Sequence, residues 1–482
     1  MTPSVKLGFL WPSASLSGHI LLPRYYDEEL NARLAELSRV RRTVRLGDLV
    51  DAGDVEVSTG DEIGKMAYGT GDIPFVRTSD VSNWEIRANP KQGVSPSYYE
   101  EYGRSQDVRK GDLLFVRDGT YRIGQSCLVS KQDLPLIYQS HILKFRVTPK
   151  SPLPAELLLL ALTTPIVRAQ IRSKQFTADI IDSIGNRYRE LLLPMPKDTA
   201  TTKRLLGRVR AIVRQRASAR ESLRMLPDKA VPPEPQSMPD AERSEADRLG
   251  FLLLASDVRQ NVLVPRFYDP RIVLELSKLE QSHDLLTIGD EVHRGVVELR
   301  TGVEVGKMAY GTGSIPFIRT SDMPNWELAA EPKQTIRDSY AQKPRFAPDS
   351  RPGDILIVRD GTYLVGSNCV ITRFDGPFVF ASGIYRMRST DVVQSDPYLL
   401  WALLNSKIVQ RQFRAYQFTR DVIDTIGHRI DEIVLPRPKA ARSRRAIGLL
   451  AKRLIELRAA LRNESIKLAL ELGGEEAGPL AG

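Results

Sequence analysis

The 482-residue sequence contains one long segment twice, and this repeat limits its possible folds more than any other feature. Residues 65–80 read KMAYGTGDIPFVRTSD and residues 307–322 read KMAYGTGSIPFIRTSD, so two of sixteen positions differ at an offset of 242. Solenoid repeats have periods of roughly 20–50 residues, far shorter than this one. The sequence therefore predicts a tandem duplication of a whole domain with its trailing segment, and two similar binding events on one chain.

The same offset aligns short motifs along the whole half without an insertion. The matched pairs are residues 8–10 with 250–252, 23–27 with 265–269, 117–121 with 359–363, 175–177 with 417–419, and 193–194 with 435–436. The two cysteines, Cys127 and Cys369, also correspond to each other. Two cysteines cannot build a disulfide framework or a zinc cluster, so we expect small buried residues at both positions.

Composition and charge indicate a folded protein with an anionic partner. The chain is 42% hydrophobic and 27% charged, which is not the profile of a disordered segment. Its net charge of +10 favours nucleic acid over a membrane surface. The sequence has neither a signal-peptide pattern nor an uninterrupted apolar run of ~18 residues, so we expect a cytoplasmic protein without a membrane partner.

Each copy reads as a mixed α/β domain with a loop-rich, irregular sheet. In the first copy, Leu30, Leu34 and Leu37 recur at helical spacing. Apolar runs bounded by glycine and proline predict strands and a buried helix. The predicted elements are a helix at 27–39, strands at 73–77 and 111–117, a helix at 154–174 and a strand at 190–193.

A helical tail follows each copy. Residues 203–226 carry an apolar series (Leu205, Val209, Ile212, Val213, Leu223, Leu226), and the remaining face is dense in arginine (Arg204, Arg208, Arg210, Arg214, Arg216, Arg220, Arg224). Residues 442–472 carry a heptad-like seam of Ile447, Leu450, Leu454, Leu457, Leu461, Leu468 and Leu472. The second helix would be ~45 Å long. Its seam is expected to pack on the first tail or, alternatively, on its own domain.

These patterns divide the chain into six parts. The Pro-rich, polar stretch between the copies indicates a linker. The predicted parts are a first domain (1–198), a first helix (199–226), the linker (227–247), a second domain (248–440), a second helix (441–473) and a flexible tail (474–482).

Three motifs in each copy resemble a known family. They are IPFVRTSD at 73–80, GDLLFVRDGT at 111–120 with a following Gly124, and RELLLPMP at 189–196 before a helix. The motifs are similar to the signatures of target-recognition domains in the specificity (S) subunits of type I restriction-modification systems. The order of domain, helix, domain, helix agrees, and the resemblance covers nearly the whole chain.

The resemblance implies a non-catalytic DNA-binding subunit of a DNA methyltransferase or restriction complex active in phage defence. Each domain would read one half of a bipartite site in double-stranded DNA. The two helices would pair as an antiparallel coiled coil, set the gap between the half-sites and dock two DNA methyltransferase subunits that use S-adenosylmethionine. A translocating restriction subunit would join for cleavage. The sequence departs from the family in its short helical tails and in two unusually similar domains.

Motifs for intrinsic chemistry are missing from the sequence. The Gly69-Thr70-Gly71 stretch lacks the third glycine and the strand-to-helix context of a nucleotide-binding loop, and no Walker A or Asn/Asp-Pro-Pro-aromatic motif occurs. The five histidines are scattered and do not correspond between the copies. We therefore predict no catalytic residues, no metal site and no cofactor of the chain's own.

Two loops in each copy have the composition of a DNA-reading surface, because basic side chains there neighbour hydroxyls, carboxylates and tyrosines. A third candidate is the segment Lys174-Gln175-Phe176-Thr177, with Gln417-Phe418-Thr419 in the second copy. The predicted contacts of the first copy are Lys65, Tyr68, Thr70, Arg77, Ser79, Asp80, Arg117, Asp118, Tyr121, Arg122 and Lys174. Those of the second copy are Lys307, Tyr310, Thr312, Arg319, Ser321, Asp322, Arg359, Asp360 and Tyr363.

Alternatives remain at this level. The Arg77–Asp80 and Arg117–Asp118 pairs also fit structural ion pairs, and Trp84 and Trp326 also fit the core. The near-identical loops predict a target close to an interrupted palindrome, with half-site centres ~34 Å or more apart. The rival functions are DNA recognition in another phage-defence assembly and a protein-interaction scaffold without DNA.

Overall fold

The computed structural model describes residues 20, 22–119, 121–178, 181–233, 253–259, 262–340, 343, 348–361, 363–420 and 423–474. Most of the predicted linker and nearly all of the predicted tail lie outside these residues, as does the side chain of Lys307. The chain forms two compact units. The first unit contains the residues up to Arg214 together with the segment that begins at Glu464. The second unit comprises Gln215–Asn463. This division falls inside both long helices, and the predicted domain boundaries at 198 and 440 remain predictions.

The first copy mixes helices with short strands. Its helices are α1 (Glu28–Val40), α2 (Leu46–Asp51), α3 (Pro96–Gln106), α4 (Ala155–Leu162), α5 (Pro165–Lys174) and α6 (Thr199–Ala230). Its strands are β1 (Thr43–Arg45), β2 (Val55–Thr59), β3 (Ile73–Val76), β4 (Val81–Ser82), β5 (Glu85–Ile86), β6 (Gln92–Val94), β7 (Leu113–Val116), β8 (Ser126–Leu128), β9 (Ile137–Tyr138), β10 (Ile142–Val147), β11 (Phe176–Ala178), β12 (Ile181–Ser183) and β13 (Leu192–Pro194).

The second copy follows the same order, although its described residues show no counterparts of α3, β4 and β5. Its helices are α7 (Pro270–Leu279), α8 (Ile288–His293), α9 (Pro397–Leu404), α10 (Lys407–Tyr416) and α11 (Ala441–Gly473). Its strands are β14 (His283–Thr287), β15 (Val297–Thr301), β16 (Tyr310–Ile318), β17 (Gln334–Ile336), β18 (Ile355–Val358), β19 (Asn368–Val370), β20 (Val379–Phe380), β21 (Ile384–Ser389), β22 (Phe418–Arg420), β23 (Ile423–Thr425) and β24 (Val434–Pro438).

The sheets confirm the predicted duplication of a mixed α/β domain. The first copy has a four-stranded antiparallel sheet in the order β2-β10-β7-β8, and the second has β15-β21-β18-β19. A three-stranded sheet accompanies each, in the orders β6-β3-β9 and β17-β16-β20. The continuous apolar run of β7 suits a strand buried on both faces, and all four of its residues are buried.

Most elements agree with the sequence, and one does not. Helix α1 begins after Asp27, whose side chain accepts a hydrogen bond from the Leu30 amide, as its capping position requires. The single helix predicted at 154–174 is wrong. The chain forms α4 and α5 instead, because Pro165 has no N–H and keeps Thr164 extended, which favours a new first turn.

Helix α6 begins at Thr199, where the first helix was predicted to begin, and is 32 residues long because it continues to Ala230, four residues past the predicted end at 226. The arginines of α6 are also not all on the face opposite the apolar series. Arg216 and Arg220 are 1% and 4% exposed and continue the buried series of Leu205, Val209 and Ile212. The corresponding series of α11 contains Arg458 and Arg462, which are 1% and 5% exposed. Leu450, predicted in the seam of α11, is 37% exposed.

In the first unit, the early part of α6 runs antiparallel to the end of α11. Arg204 forms an ion pair with Glu471, and Arg208, four residues later, pairs with Glu464, seven residues earlier. The Arg41 guanidinium donates to the carbonyl oxygens of Glu471 and Leu472, at 3.0 and 3.1 Å. A cation there satisfies acceptors that the end of a helix leaves open.

In the second unit, the remaining parts of α6 and α11 also pair antiparallel, around buried charge. Arg216 donates to the carbonyl oxygen of Arg458 (3.0 Å), and Arg458 donates to that of Arg216 (3.2 Å). Both guanidiniums reach the Glu327 carboxylate, which is 6% exposed. Apolar residues of both helices (Leu223, Leu226, Ile447, Ala451 and Ile455) join the core formed with α9.

Arg462 extends this cluster to a second carboxylate. It lies 3.6 Å from Glu327 and donates to Asp375 (2.5 Å) and to the carbonyl of Leu328 (2.9 Å). Burial opposes ionisation of Glu327, but the surrounding guanidiniums of Arg216, Arg458 and Arg462 hold its pKa below the usual value. We call Arg216, Arg458, Arg462, Glu327 and Asp375 the arginine cluster.

We expect Glu327→Gln to lower the free energy of unfolding at pH 7 by about 3–5 kcal/mol, because it leaves buried guanidiniums without their counter-charge. Since the folded pKa of Glu327 lies below 4.5, the wild-type advantage should be full above that pH and vanish as the pH falls through the folded pKa. Urea unfolding at several pH values measures it.

The control is Glu304→Gln, which neutralises an exposed carboxylate and should change stability by less than about 0.5 kcal/mol. Equal unfolding curves for the two variants would contradict the role given to the arginine cluster.

Candidate nucleic-acid interface

The first loop of each copy (residues 65–84 and 307–326) is shaped by a buried aspartate. A 3₁₀ turn follows β3, and the Arg77 amide donates to the Asp80 carboxylate at 3.0 Å. The Arg319 amide donates to Asp322 in the same way, at 2.9 Å. Asp80 and Asp322 are only 2% and 3% exposed.

Burial raises the pKa of Asp80, while Arg87 and backbone N–H groups act in the opposite direction. The predicted Arg77–Asp80 contact is therefore a backbone cap, and the nearby side chain of Arg87 lies 3.7 Å from the carboxylate. The structure places these aspartates where they hold the loop from inside. Their predicted contact with DNA stays a prediction.

The arginine and the tyrosine predicted for this loop do come together. The Arg77 guanidinium lies over the Tyr68 ring, 5.7 Å from its centroid, and Arg319 lies over Tyr310 at 5.8 Å. Tyr68 in turn stacks on the buried Phe75 ring of β3. A strand residue thus supports the tyrosine, and the tyrosine supports a half-buried cation at the loop surface.

The other predicted residues of the first loop divide between structure and surface. Thr70 and Thr312 donate their hydroxyls to the carbonyls of Ala67 and Ala309, both at 2.7 Å, and so close the turn. Lys65 is exposed. Ser79 and Ser321 are half-buried within the 3₁₀ turns.

The second loop of the first copy (117–124) follows β7 and starts with a closed polar network. Arg117 donates to both carboxylate oxygens of Asp118, at 2.8–3.1 Å. His141 Nδ1 lies 3.0 Å from Asp118 Oδ2, and the Ser183 hydroxyl donates to Oδ1 at 2.5 Å. Burial opposes ionisation of Asp118, but these hydrogen bonds together lower its pKa.

The second loop of the second copy (359–366) is more open. Arg359 lies 3.4 Å from Asp360, and the Thr425 hydroxyl donates to Asp360 Oδ1 at 2.5 Å. The Asp360 side chain is 32% exposed, compared with 9% for Asp118. A cavity of about 790 Å³ adjoins it and is lined by Arg359, Asp360, Tyr385, Phe418, Ile423, Thr425, Gly427 and His428.

The two loops of each copy meet. A Cβ at Gly119 would lie 3.8 Å from the Thr78 hydroxyl. In the second copy, a Cβ at Gly383 would lie 3.4 Å from the Thr320 methyl of the first loop and 3.5 Å from Asp360 Cβ of the second. In the first copy, the β9–β10 connection links them as well, because the Gln139 amide donates to the Val76 carbonyl of the first loop and the Arg117 amide of the second loop donates to the His141 carbonyl. The loops predicted separately from sequence therefore form one surface in each copy.

A β-hairpin joins this surface, and its first strand (β11 or β22) begins within the third segment that the sequence offered as a contact, 174–177 and 417–419. The Gly119 amide donates to the Asp182 carbonyl of the β11–β12 hairpin at 2.8 Å, and Gly361 donates equally to Asp424 of β22–β23. At the base of the first hairpin, the Arg187 guanidinium lies 4.6 Å from the centroid of the Phe176 ring. Arg429 and Phe418 repeat this contact at 4.8 Å.

Lys174, predicted as a further contact, is held inside its domain. Its ammonium group donates to Glu190 at 2.8 Å and lies 4.5 Å from the centroid of the Tyr25 ring. Arg122 is half-buried on the second loop. The second copy has Tyr416 and Leu364 at the two corresponding positions, so the cations of the copies differ.

Exposed apolar side chains occupy equivalent places in both copies. The fractional exposures are 86% for Met66 and 89% for Met308, 55% for Tyr121 and 64% for Tyr363, and 42% for Ile181 and 49% for Ile423. Only the tyrosines were predicted. The exposed methionines could have been predicted from the repeated KMAYGTG stretch. The same apolar residue follows a lysine in both loops, and neither a helical nor a strand periodicity accounts for it.

The tryptophans of the first loops belong to the core, the alternative that the sequence left open. Trp84 is 7% exposed. Trp326 donates its indole N–H to Asn405 at 3.0 Å and meets Trp401 edge-on at 5.8 Å. Both tryptophans have positive φ (66° and 63°), which is rare for a bulky residue and indicates that packing holds the backbone there.

Within the described residues, no group of three or more His, Cys, Asp or Glu side chains is placed to hold a metal ion. None of the helices in that part of the chain is long and apolar enough to cross a membrane.

Comparison with known proteins gives structural matches alone. No protein-family model and no curated protein sequence matches the chain. Its structure is similar to the S subunit of a type I restriction-modification system from M. genitalium, with 13% identity, a TM-score of 0.29 and coverage of 89% of this chain and 93% of that chain. The HsdS subunit from Thermoanaerobacter tengcongensis matches with 17% identity, a TM-score of 0.27 and coverage of 90% and 94%.

A third match is a chain from a structure of complex assembly and conformational transition in the type I restriction-modification system. It is 18% identical, with a TM-score of 0.27 and coverage of 89% of this chain and 94% of that chain. The matched proteins belong to the family that the sequence motifs resemble. The TM-scores are low, and the function proposed below rests on the residues of this chain.

We expect Asp118→Asn to destabilise the protein at pH 7 by about 1–3 kcal/mol, because the amide cannot accept all the hydrogen bonds that Arg117, His141 and Ser183 give the carboxylate. Since the pKa of Asp118 is lowered, the loss should be full above its ordinary value of 3.8 and shrink as the pH falls through the folded pKa. Chemical unfolding measures it. The matched control is Asp360→Asn, at the more exposed site, and an equal loss there would contradict the difference between the two networks.

Proposed function

We propose that the chain is the non-catalytic DNA-specificity subunit of a type I restriction-modification complex. Each copy would bind one half of a bipartite site in double-stranded DNA through the surface formed by its two loops and hairpin. One observation carries this proposal: the same surface occurs twice in the chain, at an offset of 242. On each surface an arginine lies over a tyrosine ring, and methionine, tyrosine and isoleucine side chains are exposed.

The side chains of this surface suit duplex DNA. Arginine binds phosphates and reads guanine edges, and the remaining polar groups suit base edges or sugars. Exposed methionine is one of the apolar residues that proteins insert between base steps. The net charge of +10 adds the sequence-independent attraction on which such recognition builds.

The partners follow from the same proposal. Two DNA methyltransferase subunits that use S-adenosylmethionine would dock on the helical parts, and a translocating restriction subunit would join them when the complex cleaves DNA. A groove along helix α11 supports this proposal. It is lined by the apolar side chain of Leu449, which is 62% exposed, and by the basic side chains of Lys452 and Arg453. The chain itself would need no cofactor.

We expect the double variant Arg77→Ala, Arg319→Ala to bind duplex DNA more weakly than the wild type. Loss of two cationic contacts should reduce the slope of log affinity against log salt concentration by about 1–2. Fluorescence anisotropy of the full-length chain with duplex DNA, at several salt concentrations, measures both quantities.

The charge-matched control is Arg214→Ala, Arg445→Ala, which removes two exposed arginines of α6 and α11 and should leave the slope nearly unchanged. An unaltered slope in the loop variant, or equal slopes in both variants, would contradict the proposed surface.

The proposed partners can be tested by purifying the tagged full-length chain from its own host. A DNA methyltransferase should co-purify, and the purified assembly should transfer labelled methyl groups from S-adenosylmethionine to DNA. DNA binding with partners other than a methyltransferase would instead support another defence assembly. Partners without any DNA binding would support a protein scaffold and refute the proposal.

A further inference from the structure

One difference between the proposed DNA-binding surfaces of the two copies lies outside their near-identical loop sequences. Their arginine and aspartate, Arg117-Asp118 and Arg359-Asp360, are identical. The residue that faces this pair comes from the neighbouring β9–β10 connection, where the first copy has His141 and the second has Gly383 at the corresponding position. The difference therefore lies in a separate segment from the repeated motif.

In the first copy, the imidazole closes the site. His141 Nδ1 lies 3.0 Å from Asp118 Oδ2, and Arg117 and Ser183 occupy the rest of the carboxylate, which is 9% exposed. The His141 side chain is itself 33% exposed. At this point the first copy presents an imidazole edge to the outside instead of a carboxylate oxygen.

In the second copy, glycine leaves that place open. A Cβ at Gly383 would lie 3.5 Å from Asp360 Cβ and 3.6 Å from Asp360 Oδ2, so a side chain longer than a methyl group there could reach over the carboxylate. Among the residues that the structure describes, Asp360 Oδ1 accepts a hydrogen bond from the Thr425 hydroxyl, and Asp360 Oδ2 accepts none. The Asp360 side chain is 32% exposed and lines the cavity of about 790 Å³.

We propose that this position makes the two half-sites different, and that Asp360 accepts a hydrogen bond from the exocyclic amino group of a base. The proposal rests on the proposed function and deepens it, because it names a specificity-determining pair, His141 and Gly383. It also replaces the near-palindrome expected from the loop sequences with a target whose halves differ in at least one base pair.

The chemistry selects the base. A carboxylate only accepts hydrogen bonds, so Asp360 matches the amino groups of cytosine N4 and adenine N6 in the major groove and is repelled by guanine O6 and thymine O4. Arg359 stays beside it, over the Tyr385 ring at 5.6 Å from the centroid, and can donate to an adjacent acceptor or phosphate. In the first copy, the covered Asp118 cannot make this selection.

The substitution is compatible with the fold. Gly383 does not require a left-handed backbone, and the three nearest atoms to a Cβ at this position, 3.4–3.6 Å away, are at ordinary van der Waals distances. Gly383→His can therefore place an imidazole beside Asp360, as His141 is placed beside Asp118. Gly383→Ala is the matched control, because a methyl group fits but offers no ring nitrogen to the carboxylate.

The test is selection of duplex DNA from a randomised pool by the full-length wild type and by Gly383→His, Gly383→Ala and His141→Gly. The wild type should select two unequal half-sites, one with an amino-bearing base preferred on the order of tenfold at one position. Gly383→His should lose that preference, Gly383→Ala should retain it, and His141→Gly should gain it in the other half-site.

The outcomes separate this inference from the proposed function. If the wild type selects two half-sites but they are identical, or if Gly383→His changes neither of them, the inference is overturned and DNA recognition stands. If the wild type enriches no sequence, both are overturned. Unfolding curves distinguish a loss of preference from a loss of fold, and a folded Gly383→Ala that also lost the preference would refute the role of the imidazole.

Discussion

The buried Glu327 carboxylate lies at the centre of the arginine cluster that joins the helices of the second unit. Glu327 lies among Arg216, Arg458 and Arg462, and a guanidinium left there without it would carry the full desolvation cost of its charge. Apolar side chains can slide past one another by a turn at small cost, whereas buried hydrogen-bonded charges fit one register. Because Glu327 follows the first loop directly, the same cluster ties the position of Arg319 and Ser321 to the helices.

The duplication and most element types could be predicted from the sequence, because a constant offset of 242 and local periodicity need no knowledge of distant contacts. The buried arginines could not. Helical periodicity treats Arg216 and Arg458 as polar residues. It therefore predicts them on the solvent-exposed face and includes only apolar residues in the buried series. Their burial depends on Glu327, which is 111 residues from Arg216 and 131 from Arg458.

The reading surface shows the same limit. Both loops were located from their residue types, and the structure brings them together in each copy. The segment at 174–177 was offered as a further contact from its residue types, but its continuation into the β11–β12 hairpin was not predicted, because the Asp118–Ser183 contact spans 65 residues. The histidines visibly fail to correspond between the copies, but the contact of His141 with Asp118 could not be predicted, because the two residues are 23 positions apart. Residue types locate a polar loop well, but the partner of each polar atom is decided by the fold.

The contact between Arg216 and Arg458 has a further consequence. Each donates to the carbonyl of the other, and the two positions are equivalent in the repeat. Such reciprocity is what two identical chains form about a two-fold axis, an isologous contact. Here both partners belong to one polypeptide, so the two equivalent helical segments are covalently tethered. Tethering fixes the stoichiometry at one of each half and allows the halves to diverge, which a true homodimer, encoded by one copy, cannot do.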